Sequence, residues 1–77
     1  MNYANRIVSN PDIMLGKPVI NGTRITVELV LRKLSDGMTM DELLAAYTHL
    51  SIEDIYATLT YASDLVANDE VIVPQIS

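Results

Sequence analysis

The chain has no cysteine, tryptophan or phenylalanine, one histidine, and no lysine or arginine after residue 33. Without cysteine there is no disulfide staple, no cysteine-ligated zinc and no thiol nucleophile. The lone histidine, His49, falls in an expected turn between helices, where a solvated or capping role accounts for it. The serines have no obvious base nearby in sequence, and the three glycines (Gly16, Gly22, Gly37) are too scattered for a phosphate-cradling loop. No apolar run approaches the ~20 residues of a membrane-spanning helix. The N-terminus lacks the charged start and apolar middle of a signal peptide, so the expected location is cytoplasmic. The acid pairs Asp41-Glu42, Glu53-Asp54 and Asp69-Glu70 are conceivable metal ligands. The first two, however, fall in expected first helical turns, where acids complement the helix dipole. These absences lead to the expectation of a protein that is not an enzyme and holds no metal or cofactor.

What is present is apolar residue and polarised charge. The 77 residues suit one domain spanning 1–77, and 49% of them are hydrophobic. A domain of this size buries only about 60–65% of its unfolded surface. Its stability is therefore marginal, and with disulfides and a cysteine metal site excluded, oligomerisation is the remaining staple. A homodimer is expected. The net charge of −5 hides an asymmetry. All five basic residues (Arg6, Lys17, Arg24, Arg32, Lys33) lie in residues 1–33 against Asp12 and Glu28, giving +3, whereas residues 34–77 carry eight acids alone, giving −8. Such a division fits a basic partner, a dimer pairing opposite halves, or a solvated acidic face.

Along the chain, residues 6–25 read as short extended pieces joined by turns. Asn10-Pro11-Asp12 is a turn signal, and Pro18 keeps Lys17 out of helical geometry. Val19-Ile20, Asn21-Gly22 and Thr23-Arg24-Ile25 predict a strand, a two-residue type I′ turn and a strand, with Asn21 and Gly22 as turn residues. A three-helix bundle is expected over 26–66. Thr26 can cap the first helix, whose stripe is Val27, Val30, Leu31, Leu34, and Gly37 suits its left-handed stop. Thr39 with Glu42 forms a capping box for the second, with stripe Met40, Leu43, Leu44, Tyr47. Ser51 with Asp54 repeats that signal for the third, with stripe Ile52, Ile55, Tyr56, Leu59, Ala62, Val66. Short connections make consecutive helices neighbours, and the second and third resemble a helix-turn-helix pair. Residues 67–77 form a tail in which Val71-Ile72-Val73, stopped by Pro74, is a short β-prone run able to add an edge strand.

A helix-turn-helix pair raises the question of DNA. Affinity for DNA comes largely from Lys and Arg neutralising phosphates. The third helix, which would enter the major groove, carries Glu53, Asp54 and Asp64 and no cation. Any nucleic-acid contact therefore falls to Lys17, Arg24, Arg32 and Lys33, from a dimer; the competing reading pairs them with the acidic C-terminal part.

The stretch GKPVINGTRITV, residues 16–27, together with Tyr47, Leu50, Glu53, Asp54, Tyr61 and Ala62, resembles a bacterial family known as domain-of-unknown-function family 433. Gly16 to Ile20, Gly22 to Ile25 and Val27 match the family pattern, which reaches to about residue 62. Asn21 stands where the family usually has arginine, which removes a cation from the turn, and Thr26 and Thr48 stand where proline is common. The resemblance implies a mainly α, homeodomain-like three-helix (helix-turn-helix) bundle with a small N-terminal β-hairpin. It also implies an antitoxin-like component of a type II toxin–antitoxin pair that binds and inhibits a PIN-like ribonuclease. The alternative is a dimeric DNA-binding transcriptional regulator on operator DNA, and a purely structural dimerisation module is also compatible. On the inhibitor reading the exposed carboxylates Glu53 and Asp54 and the tail residues Val71, Ile72 and Val73 are the candidate protein-partner contacts.

Overall fold

Each helix begins where a side-chain oxygen can satisfy free backbone N–H groups. In the computed structural model, which describes residues 3–68, the Thr26 hydroxyl accepts from Leu29 N–H at 3.0 Å and opens α1, Val27–Ser35. Thr39 and Glu42 form the full reciprocal box at the start of α2, Met40–Ala46. Ser51 and Asp54 do the same for α3, Ile52–Asn68, through Ser51 N–H to Asp54 Oδ2 (3.0 Å) and Asp54 N–H to Ser51 Oγ (3.2 Å). Each such cap is worth about 1 kcal/mol. Helix α1 ends on Gly37 at φ +97°, with Gly37 N–H donating to Leu34 and Met38 N–H to Lys33, the paired bonds of a Schellman stop.

The small sheet is a correction to the expected hairpin. Strands β1, Ile7–Val8, and β2, Val19–Ile20, pair antiparallel, Ile7 with Ile20 and Val8 with Val19. Residues 23–25 form no strand. Gly22 has φ +81° but Asn21 has no positive φ, and Thr23 N–H donates to Ile20 carbonyl at 3.0 Å. This is a type II turn rather than type I′, and type II geometry splays its legs. The return leg accordingly touches β2 at one bridge, Val19 with Thr26. The place left beside β2 is taken by β1.

Between the strands, Met14, Leu15 and Gly16 have φ of +50°, +58° and +80°, a left-handed turn built largely from residues with side chains. The Ser9 hydroxyl donates to the Gly16 carbonyl across its base.

Ile20, Val30, Leu43, Leu50 and Ile55 form one buried cluster, with Ile7, Ile25, Leu34, Met38, Met40, Leu44 and Tyr47 packed around it. Every helix and β2 thus contributes to one core. Thr58 is fully buried with its hydroxyl unpartnered. Helix α3 runs two residues past the expected end. It packs inward through Asp54, Ile55, Ala57 and Thr58, so the single stripe expected for it is split between two sides. Tyr3 holds the start of the chain against α3 in an edge-to-face contact with Tyr61, centroids 5.4 Å apart at 82°.

Candidate functional site

At 100° per residue, Ile52, Tyr56, Leu59, Ser63 and Val66 follow one line along α3, spaced four, three, four and three apart. That line borders Ile55 and lies on the side away from Ala57 and Thr58, which are buried. Its apolar members are 40% (Ile52), 48% (Tyr56), 42% (Leu59) and 63% (Val66) exposed. Leu65, on the core side but beyond the core, is exposed as well. Five of the seven large apolar side chains exposed among the described residues are therefore on this one helix. The line was present in the sequence. What obscured it is that Ile55 and Ala62, adjacent in the helical projection, extend it into one broad stripe, and periodicity alone does not say where such a stripe divides.

The charges that α3 itself carries are all negative. Glu53 is exposed in the first turn of α3 and Asp64 in the fourth, and α3 carries no cation. Asp64 lies against Tyr3, whose phenol is held above its ordinary pKa by burial and then by the Asp64 carboxylate.

Asp54 is not an exposed carboxylate. It is buried; Oδ2 accepts from Ser51 N–H, and Oδ1 takes Arg6 Nη1 at 3.1 Å, 48 residues away in sequence. A partner cannot reach it without dismantling the helix start, so its candidacy as a partner contact is withdrawn. Val71, Ile72 and Val73 lie outside the described residues.

The four basic candidates do not form one patch. Lys17 Nζ and Arg32 Nη2 both face Glu28, at 3.2 and 3.8 Å. All three border a groove of about 650 Å³ between α1, the Lys17-Pro18 turn and the last turns of α3, floored by Val27, Leu31, Tyr61, Ala62 and Leu65. Arg24 is exposed beside a different hollow, near Val8, Asn10 and Gly22. Lys33 lines neither, and it and Arg24 have no ion pair among the described residues. Asn21 is exposed and donates through Nδ2 to Asn5 carbonyl at 3.1 Å, so it ties the turn to the chain before β1. Sequence reading did not single out Leu15, which stands 94% exposed at the tip of the left-handed turn. No residue-type rule places Leu in that conformation.

Among the described residues no cluster of three or more His, Asp or Glu side chains could hold a metal ion, and no helix is long and apolar enough to cross a membrane.

Residues 7–62 match the family described as "Protein of unknown function (DUF433)". The chain is 36% identical over 56 residues to the "Uncharacterized protein y4eO" of Sinorhizobium fredii (strain NBRC 101917 / NGR234), a match that covers 73% of this chain and 25% of that one. It is also similar, with a TM-score of 0.75 and 33% identity, to the crystal structure of a DUF433 member protein from Anabaena variabilis ATCC 29413. That match covers 79% of this chain and 60% of the solved one. The chain thus spans a quarter of the curated relative and three-fifths of the solved structure.

Proposed function

Because the chain belongs to the DUF433 family, whose function is unknown, we propose a role from its surfaces: a cytoplasmic, non-catalytic binding protein of antitoxin type that inhibits a PIN-like ribonuclease. The observation that carries this reading is the outer stripe of α3. Apolar side chains at coiled-coil spacing, on a helix whose own charges are all acidic, suit a second protein that offers an apolar strip edged by cations. A nuclease surface that binds RNA has that character, since phosphate recognition requires Lys and Arg. The tail residues Val71, Ile72 and Val73 extend the same contact, and Glu53 remains its exposed acid. Self-association through the stripe is the homodimer of the free protein, displaced when the partner binds.

The alternative, a dimeric helix-turn-helix regulator of operator DNA, would have to draw its phosphate contacts from Lys17, Arg24, Arg32 and Lys33. Two of these are already paired with Glu28.

The test is inhibition of RNA cleavage by a PIN-like nuclease encoded beside this protein, with wild type against the double variant Tyr56→Lys/Leu59→Lys. Both positions are exposed, so the fold survives. Central interface anchors are each worth about 2 kcal/mol or more, so inhibition should weaken by about a hundredfold or more. Unchanged inhibition by the double variant would remove the stripe from the reading. Recovery of operator DNA alone, lost as salt rises, would replace the inhibitor with the regulator.

A further inference from the structure

Asn21 is the only asparagine of the chain that precedes a glycine. Both residues are exposed in the turn after β2, and a Cβ placed on Gly22 would meet nothing within 4 Å. The turn is held at its ends: Asn21 N–H donates to Arg6 carbonyl at 2.8 Å, and Thr23 N–H to Ile20 carbonyl at 3.0 Å. The peptide between is not held. Neither the Asn21 carbonyl nor the Gly22 N–H has a hydrogen-bond partner among the described residues. The Asn21 side chain is clipped once, by Nδ2 to the Asn5 carbonyl.

We propose that Asn21 is a site of spontaneous self-modification: the Gly22 backbone nitrogen attacks the Asn21 side-chain amide, expels its nitrogen as ammonia, and leaves an aspartyl or isoaspartyl residue that releases the chain before β1.

The turn permits the attack because type II and type I turns differ by a rotation of the central peptide that keeps the closing hydrogen bond. Here that rotation breaks no hydrogen bond, and glycine accepts φ of either sign. It carries Gly22 N toward the Asn21 amide. Arg24 lines the same hollow as Asn21 and Gly22, and its charge favours the anion formed as Gly22 N gives up its proton. The new bond joins Gly22 N to Asn21 Cγ; the Cγ–Nδ2 bond breaks, and Nδ2 takes up the proton and departs as ammonia. Water then opens the resulting succinimide. Opening at Cγ gives an aspartyl residue. Opening at the main-chain carbonyl gives an isoaspartyl residue, whose backbone is one carbon longer and no longer fits the turn closed by Thr23 and Ile20. In either product the donor that held Asn5 is gone, and a carboxylate, which only accepts, stands against a carbonyl.

The inference is independent of the nuclease reading, and its test needs no partner. The full-length protein is aged in heavy-oxygen water at mildly alkaline pH and mapped by peptide mass spectrometry. Position 21 should take up the label as a mixture of the two products, at a rate comparable to that of the chain unfolded in urea. It should run at least about tenfold ahead of Asn5 and Asn10, which precede a residue with a Cβ and a proline without an N–H. In the aged protein the Arg6 and Asn21 amides should exchange about fivefold faster, the weight of one neutral hydrogen bond. Asn21→Asp should reproduce that loss without ageing. An amide at position 21 that stays intact in the folded protein while the unfolded chain converts would overturn the proposal. So would conversion, or Asn21→Asp, that leaves the Arg6 and Asn21 amides as protected as before.

Discussion

At the scale of single residues, Asp54 carries two duties with one carboxylate. One oxygen caps α3 and the other holds Arg6. Truncation to Ala should therefore cost more than an ordinary cap, about 2–3 kcal/mol by urea unfolding, because hydrogen bonds to charged groups contribute about 1.5–3 kcal/mol. Paired with Arg6→Met in a double-mutant cycle, part of that loss should be shared; purely additive losses would mean that Arg6 only passes nearby. Leu15 is the opposite case. Its side chain buries almost nothing, and its φ of +58° is unfavourable for any residue with a Cβ. Leu15→Gly should raise stability by about 1 kcal/mol, and a fall would show that the exposed leucine packs on something in solution. Neither residue's situation was legible from its neighbours in sequence. An acid three places after Ser51 signals a cap, and only the folded chain reveals the arginine 48 positions earlier. The left-handed turn is fixed by its surroundings, the Ser9–Gly16 bond among them, and not by the preferences of Met and Leu.

At the scale of elements, the three helices were legible almost to the residue because each announces itself twice, by a cap and by a stripe. The sheet was not. Two-residue strands are too short for a period of two to register, and Asn-Gly serves a type II turn as readily as a type I′ one once the chain on either side is otherwise engaged. The second helix offers a pH test. Hydrogen bonds from the backbone and side chain of Thr39 hold the Glu42 carboxyl below its ordinary pKa. A depressed carboxylate contributes stability that is complete above its unfolded-state pKa and is lost as pH falls through the lower, folded-state one. Glu42→Gln should therefore flatten part of the acid limb of the stability curve and leave its slope above neutral pH unchanged. An acid limb identical to that of wild type would mean that the box is not formed in solution.

At the scale of the whole molecule, one core serves every element. Ile55 is fully buried at the meeting of α3 with the cluster of Ile20, Val30, Leu43 and Leu50. Ile55→Ala should cost about 3 kcal/mol, within the usual range for such truncations. A domain of this size has only some 5 kcal/mol or a little more to lose. The variant should melt as one cooperative unit at a markedly lower temperature, and separate transitions for sheet and helices would refute a shared core. The apolar excess noted in the composition is also located at this scale. It is not hidden in an overfull interior but displayed along the outside of α3.

The long-range ties of the N-terminal segment bear on the order in which the protein can be made. Arg6 and Tyr3 leave the ribosome well before their anchors, Asp54, Tyr61 and Asp64, which emerge 48 residues and more later. The β1–β2 pair needs nothing beyond Ile20 and can close early. Ile20 can pack on Val30 and Leu43 once α1 and α2 have emerged, but the ties made by Arg6 and Tyr3 must wait for α3, so the outer edge of the sheet is the last part of the fold to be moored.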